Sequence, residues 1–215
     1  MAKWYADNIE LVQFEGVGKY GFPQLYRCPE IPSGLVWDQC SHIAKIRDAG
    51  KRKQTAIHFN VFDTQIQPYW TKPMKYVRIL RQFGACASPD FSMYADMPEA
   101  YRIWSVYKNR WLGRLWQECD ITVVPLVSWS TPESYDWMFD GYPTESIVMV
   151  SSVGSNKDAK SQYYFQMGYR QMMDRLRPIK ILYYGVIVDG ADYGNIEKIE
   201  SWQEQFRATR WKGGG

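Results

Sequence analysis

The chain has 215 residues, of which 46% are hydrophobic and 23% are charged, as is usual for a globular protein with a sizeable core. Its net charge of +3 is too small to indicate nucleic-acid binding without a local basic patch. No apolar run reaches the ~18 residues of a membrane-spanning helix. No signal peptide is evident, so we expect a cytoplasmic protein without a membrane partner.

The N-terminal segment, residues 1–50, contains Gly and Pro at close intervals and predicts an irregular lead-in. A short strand is predicted within it at Gly34–Asp38. The rest of the chain to residue 212 is expected to complete a single α/β domain, because we find no internal repeat and no linker. Residues 213–215 are three glycines, which predict a flexible tail.

Beyond the lead-in, apolar strands alternate with helices. Strands are predicted at Thr55–Phe62, Gly84–Ser88, Ile121–Trp129, Ser146–Ser152 and Lys180–Val188. Helices are predicted at Lys72–Phe83, Pro98–Cys119, Lys157–Leu176 and Ile196–Phe206, with a short one after Thr131. The expected N-caps of three of these helices are Asp96, Thr131 and Ser155.

This alternation predicts the fold class. Continuous apolar strands between helices are typical of a parallel sheet covered on both faces. We therefore expect an α/β fold with a mostly parallel sheet of five or six strands and helices outside. A closed eight-stranded barrel typically needs ~250 residues, so an incomplete TIM-barrel-like sheet or an open sheet is favoured.

Polar and small residues follow every predicted strand, and in parallel α/β proteins ligands bind at the carboxyl ends of the strands. The candidates that this rule selects are Asn60, Asp63, Ser88, Asp90, Ser92, Ser128, Trp129, Ser151, Ser152, Gly154 and Tyr184. Capping of the next helix does not explain Asp90, since the expected cap lies several residues later. Trp129 would provide a flat surface on which a base or sugar ring stacks.

Asp90 and Asp63 are the candidate catalytic residues. If their strands are neighbours, the two carboxylates could act as a general acid and base, as in glycosidases. They could equally bind Mg²⁺ or Mn²⁺ for phosphoryl chemistry. The sequence leaves these alternatives open, because the order of the strands decides whether the two residues meet.

Other segments suggest phosphate or nucleic-acid contacts. Asn109 and Arg110 lie beside an aromatic stripe of the long helix, where Arg110 could reach a phosphate with its planar fork. The segment Ser151–Lys160 combines small residues with a helix N-terminus, which is suited to an anion. The basic run Lys51, Arg52 and Lys53 could contact nucleic acid, although such runs are usually solvated surface.

Cysteine and histidine spacing does not indicate a zinc site. Cys28, Cys40, Cys86 and Cys119 form no C-x-x-C pair, and the two histidines are not at ligand spacing. We expect free thiols, with Cys86 as a small core residue.

Several motifs together resemble an uncharacterised domain family of bacteria and their phages. They are KYGFP (19–23), SPDFSMYADMP (88–98), YKNRWLGRLWQ (107–117), VVPLVSWS (123–130), FDGYP (139–143) and VSSVGS (150–155). The resemblance implies a phage or mobile-element setting and a cytoplasmic protein. It implies no catalytic role, because no activity is established for the family.

We expect an enzyme that acts on a nucleic acid or nucleotide, as a metal-assisted or general acid/base hydrolase or transferase. The alternative is a non-catalytic nucleic-acid-binding protein or an inhibitor of a host protein, whose basic runs and exposed aromatic residues would carry the function. An enzyme of a small metabolite, without a link to nucleic acid, is a third hypothesis, with which the weak net charge is compatible. The oligomeric state is not predicted.

Overall fold

The structure, a computed structural model, describes residues 12–188 and 193–199. Its strands are β1 Gly16–Val17, β2 Phe22–Pro23, β3 Val36–Gln39, β4 Thr55–His58, β5 Ala85–Ala87, β6 Val123–Val124, β7 Leu126–Val127, β8 Ile147–Ser151, β9 Lys180–Tyr184 and β10 Ile196–Ile199. Its α-helices are α1 Ala49–Lys53, α2 Asp63–Thr71, α3 Pro73–Leu80, α4 Glu99–Glu118, α5 Tyr135–Met138 and α6 Ala159–Leu176. Within these residues, 3₁₀ helices occupy Cys40–Lys45 and Pro132–Ser134.

All strands from β3 to β10 are parallel and follow one another in chain order. The strands form two four-stranded sheets, β3-β4-β5-β6 and β7-β8-β9-β10. The two sheets continue into one another, because only Pro125 separates β6 from β7 in the chain. Proline has no N–H and interrupts the ladder, but its carbonyl still accepts a hydrogen bond from Met149 N at 2.8 Å. Within the described residues β3 pairs only with β4 and β10 only with β9. The predicted α/β class with an open, mostly parallel sheet is confirmed, and no closed barrel forms.

The sheet is strongly curved. The rings of His58 on β4 and Tyr184 on β9 have centroids 4.5 Å apart, although β5, β6/β7 and β8 lie between their strands. At ~4.8 Å per strand, a flat sheet would separate β4 from β9 by roughly 19 Å. Curvature therefore creates a concave face, and the side chains of strands on opposite sides of the sheet meet there.

Three apolar clusters fill the two faces of the sheet. The concave face holds side chains from almost every strand, most of them small or medium in size; they include Ala56, Val124, Met149 and Leu182, together with the large Trp37. The convex face is covered by helices in two larger clusters, one around Trp111 and Trp116 of α4 and one around Tyr169 of α6. The continuous apolar strands of the sequence follow from this burial on both faces.

Three predictions at helix ends are wrong. The segment at Ile196–Ile199 forms β10 and not a helix, because its apolar residues pair with β9; the predicted remainder, 200–206, lies outside the described residues. Helix α4 starts after Pro98, so Asp96 does not cap it. Helix α6 starts after Asp158, whose carboxylate accepts from Ser161 N at 2.8 Å, so Ser155 is not the cap.

Candidate active site

The concave face turns from apolar to polar at the carboxyl ends of the strands. Side chains alternate between the two faces of a strand, so the residues two positions beyond buried concave-face residues also point inward. These residues, which we call the strand-end rim, are Gln39, His58, Ser128, Ser151 and Tyr184. Register places Gln39 opposite His58 and Ser151 opposite Tyr184. The rim is thus a row of hydrogen-bonding groups above an apolar floor.

Asp63 and Ser92 meet beside this rim. The backbone N–H and the hydroxyl of Ser92 both donate to Asp63 Oδ1, at 3.0 Å and 2.8 Å. Asp63 is the first residue of α2, where a carboxylate also interacts favourably with the helix dipole. The contact ties the loop after β4 to the loop after β5, two strands that pair in the sheet.

Asp90 lies between that contact and the rim. Part of the residue is exposed, but protein atoms surround its carboxyl. Burial raises the pKa of Asp90 to about 7; the nearby Ser128 hydroxyl opposes this shift, and the charge of Asp63 adds to it. The carboxyl of Asp90 can therefore be protonated or ionised near neutral pH, which a general acid/base requires.

Two buried polar atoms of this region have no hydrogen-bond partner among the residues that the structure describes. They are Asn60 Oδ1 and Ser128 Oγ; the Ser128 hydroxyl is close to the Asp90 carboxyl without reaching normal hydrogen-bond geometry. Buried polar atoms are nearly always paired in folded proteins. Two unpaired oxygens on one concave face therefore indicate groups that bind a ligand.

His58 is a rim residue that the sequence analysis did not select. It is 3% exposed, and burial lowers its pKa to about 4, which keeps the imidazole neutral. Asn60 N is 3.4 Å from its Nδ1, so the neutral ring accepts there and carries its proton on Nε2. Its position two residues after Ala56, as the last residue of a strand, is the signal that could have identified it.

Asn109 and Arg110 support the site from below and do not face it. Asn109 accepts from Phe91 N at 2.8 Å and donates to Phe91 O at 3.3 Å, which fixes the residue after Asp90. Arg110 is 1% exposed. It donates to Met138 O at 2.8 Å and Asp140 O at 3.1 Å.

Tyr142 connects Arg110 to the strand end. The Arg110 guanidinium lies 3.2 Å from the Tyr142 ring centroid. The hydroxyl of Tyr142 donates to Leu126 O and accepts from Ser128 N. Arg110 thus acts through Tyr142 on the backbone next to Asp90, and burial of its guanidinium leaves little surface for a phosphate.

Ser88 and Trp129 point to the convex side. The Ser88 hydroxyl accepts from Leu126 N at 2.8 Å, and a Cβ on Gly113 of α4 would lie 3.0 Å from Ser88 Cβ. Trp129 packs on α6, where a Cβ on Gly168 would lie 2.2 Å from its Cδ1. Both residues are one position away from those whose side chains point to the concave face, so both side chains point to the convex face and pack against helices.

The segment after β8 is held by its own side chains. Ser152 is buried and donates to Val186 O at 2.6 Å, and Ser151 Oγ accepts from Val153 N at 3.3 Å. Gly154 has a φ of 85°, which suits glycine. The Asp158 carboxylate already occupies the N-terminus of α6, so its negative charge disfavours the anion that we predicted there.

The basic run lies at the opposite end of the sheet. Lys51, Arg52 and Lys53 end α1, which leads into the N-terminal end of β4. Arg52 donates to Ile46 O at 2.7 Å and lies 5.9 Å from the Phe83 ring centroid, so its guanidinium already contacts other parts of the protein. Lys51 and Lys53 are exposed. The run therefore lies at the N-terminal ends of the strands, whereas Asp90 follows the carboxyl end of β5.

A cleft of about 740 Å³ runs along the edge strand β3. Its walls include Asp38 and His42, which are 2.8 Å apart, and Lys51. None of the residues around Asp90 lines it. We place the candidate site at the rim and not in this cleft, because the unpaired oxygens and the raised pKa of Asp90 lie at the rim.

The family model described as a domain of unknown function, DUF4417, matches residues 14–201. The chain belongs to this family. This confirms the resemblance to an uncharacterised family of bacteria and phages. The match begins within the irregular lead-in and covers every strand of the parallel sheet.

Two phage proteins are relatives of this DUF4417 chain. The Gene 1 protein of Mycobacterium phage L5 is 32% identical over 197 residues, which cover 90% of the chain and 84% of the relative. The Gene 1 protein of Mycobacterium phage D29 is 33% identical over 173 residues, 80% of the chain and 63% of the relative. No solved structure matches the chain. The comparisons support the expected phage setting.

Two further observations concern metals and membranes. Within the part of the DUF4417 chain that the structure describes, no group of three His, Cys, Asp or Glu side chains is placed to hold a metal ion. In the same residues, no helix combines the length and apolarity that crossing a membrane requires. All four cysteines are free, as expected.

Proposed function

We propose that this DUF4417 protein is an enzyme that acts on a nucleotide with Asp90 as its general acid/base. The observation that carries the proposal is the position of the Asp90 carboxyl, beside Asp63 and Ser128 at the edge of a concave face with two unpaired oxygens. A hydrolase or a transferase fits this arrangement, because both need a proton moved at the reacting bond.

Each residue has a chemical role in this proposal. Asp90 gives a proton to the leaving group or takes one from the attacking group. Burial raises the pKa of Asp90, and the charge of Asp63, which Ser92 holds in place, adds to this shift and so helps to keep the proton available near neutral pH. Asn60 Oδ1 and the Ser128 hydroxyl, which lack partners, bind polar atoms of the substrate. Ser151, Tyr184 and His58 complete the rim.

A nucleotide fits the rim better than a long nucleic acid does. The rim offers uncharged donors and acceptors, which suit the polar atoms of a base and a sugar. Binding of a polymer depends on phosphate contacts by Lys and Arg, and the densest described basic run lies at the other end of the sheet. A metal remains compatible with the proposal, since the Asp63 and Asp90 carboxylates are of the type that Mg²⁺ prefers.

The test is turnover of a nucleotide panel by the wild type and by Asp90→Asn. Ribo- and deoxyribonucleoside mono- and triphosphates would be incubated with each protein, with and without Mg²⁺ or Mn²⁺, and products separated by chromatography. We expect Asp90→Asn to lower kcat by about 10²- to 10⁴-fold, the usual contribution of a general acid/base. Asp96→Asn is the matched control, because Asp96 is an exposed acid of the same loop and should retain activity.

A polymer assay separates the alternative function. Labelled single- and double-stranded DNA and RNA would be run on native and denaturing gels with the wild type and with Lys51→Ala/Lys53→Ala. A native shift that disappears in the double variant, without turnover of any nucleotide, would replace our proposal with a non-catalytic nucleic-acid-binding protein. Full activity of Asp90→Asn would also reject the proposed role of Asp90.

A further inference from the structure

Exposed apolar side chains gather on the loops that surround the rim. Five of the large apolar residues with high exposure follow strands β4, β5, β8 and β9 at their carboxyl ends; they are Phe62, Tyr94, Val153, Val186 and Ile187. Phe62 is 77% exposed, the highest value among the large apolar residues that the structure describes. Contiguous exposed apolar surface marks a binding site more often than chance.

Phe62 and Tyr94 flank the contact between the two catalytic loops. Phe62 precedes Asp63, and Tyr94 lies two positions after Ser92, whose hydroxyl donates to Asp63 at 2.8 Å. Their backbones are held in turns, because Gln65 N donates to Phe62 O at 2.8 Å and Met97 N to Tyr94 O at 3.1 Å. Their exposure is therefore a property of an ordered segment.

Neither ring packs against another aromatic ring in the described part of the chain. Among the described residues, the rings of Phe62 and Tyr94 take part in none of the 21 aromatic pairs, in which most other buried and half-buried aromatic side chains pack. Trp129, the predicted stacking residue, is instead packed on Phe165, with ring centroids 5.3 Å apart, and on Gly168. The flat surfaces available beside Asp90 are thus those of Phe62 and Tyr94.

We propose that Phe62 and Tyr94 form the base subsite of the enzyme, in which the heteroaromatic ring of the nucleotide stacks while its sugar lies over Asp90 and the rim. This inference rests on the proposed function and names the part of the substrate that the exposed rings bind. Stacking tolerates any base, because every base has a π-face. The subsite therefore selects nucleotides over sugar phosphates without selecting one base.

The experiment measures equilibrium binding by calorimetry with two probes, adenosine 5′-monophosphate and ribose 5-phosphate. The variants are Phe62→Ala/Tyr94→Ala and the rescue variant Phe62→Trp. Val36→Ala is the matched control, since Val36 is 64% exposed at the N-terminal end of β3. The alanine variant should bind adenosine 5′-monophosphate at least about tenfold more weakly, with ribose 5-phosphate affinity unchanged. Phe62→Trp and Val36→Ala should bind like the wild type or more tightly.

Any other outcome contradicts either the base subsite or the proposed function. Equal weakening for both probes would show that the rings do not stack a base, and an unchanged affinity for adenosine 5′-monophosphate would exclude them from the site; in both cases the role of Asp90 stands. If the wild type binds no nucleoside monophosphate and turns over no nucleotide, the proposed function is wrong and the base subsite is rejected with it.

Discussion

Polar side chains at the two ends of the parallel sheet differ in whether they have hydrogen-bond partners. At the N-terminal ends of the strands, Arg52 donates to Ile46 O at 2.7 Å and Arg81 to Cys119 O at 2.8 Å. At the carboxyl ends, Asn60 Oδ1 and Ser128 Oγ are buried without partners. The two arginines at the first end join chain segments to one another, whereas these two oxygens at the second end lack a partner among the described residues. The comparison teaches that sites are found where folding leaves hydrogen-bonding capacity unused.

Support and function are also separated within the carboxyl end. Arg110 and Tyr142 are buried and fully engaged beneath the loop after α5, and Asp90 lies above them with a raised pKa. Rigid support of this kind holds a catalytic group in place. Mutations in the support should therefore unfold the protein, while mutations at the rim should change activity.

The largest effect on stability is expected for Arg110→Leu. The change leaves the carbonyl oxygens of Met138 and Asp140 without their donor inside the protein, and we expect a loss of about 3 kcal/mol. Arg52→Leu, at the other end of the sheet and partly exposed, should lose less than about 1 kcal/mol. Urea unfolding of both variants measures this. Equal losses would remove the distinction between a buried support and a surface contact.

An acid-dependent loss of stability is expected next, from His58. Its pKa is lowered from 6.5 to about 4 in the folded protein, so the unfolded chain binds the proton first and stability falls as the pH drops from about 6.5 towards 4. Between pH 7.5 and pH 5 the wild type should lose about 2 kcal/mol more than His58→Gln. Denaturant unfolding at both pH values gives the difference. Parallel losses in the two proteins would mean that His58 titrates normally.

Asp90→Asn should stabilise the protein at alkaline pH. Its pKa is raised from 3.8 to about 7, so the folded state favours the protonated form, and stability falls as the pH rises from about 4 to about 7. Because the residue is partly exposed, we expect a difference of roughly 1 to 2 kcal/mol between variant and wild type to appear from pH 5 to pH 8. Thermal unfolding across this range tests it; a variant less stable than the wild type at pH 8 contradicts the raised pKa.

The smallest effect separates two serines on opposite faces. Ser128→Ala removes an unpaired hydroxyl and should change the free energy of unfolding by less than about 0.5 kcal/mol. Ser88→Ala removes the acceptor of Leu126 N and should cost about 1 to 2 kcal/mol. Unfolding of both variants, with nucleotide turnover measured alongside, should show that Ser128→Ala lowers activity and Ser88→Ala lowers stability. The reverse assignment would place the rim on the wrong face.

The sequence predicted the parallel α/β architecture because that information is local. Apolar runs mark strands buried on both faces, and the residues after them mark the carboxyl ends. This rule selected Asn60, Asp63, Asp90, Ser92 and Ser128, all of which follow the carboxyl ends of strands in the structure. Helix starts were less predictable, since Asp96 and Ser155 have the composition of caps but lie two or three positions too early.

Only the tertiary structure decided which candidates share the concave face. A shift of one residue turns a side chain to the other face of a strand. Ser88 and Trp129 therefore lie against helices, whereas Ser128, directly before Trp129, belongs to the rim on the concave face. The break at Pro125 and the curvature that brings His58 to Tyr184 are also invisible in local patterns. The break and the curvature arise from pairing between strands that are distant in sequence. That pairing decides where each polar side chain lies in the fold and whether it has a hydrogen-bond partner.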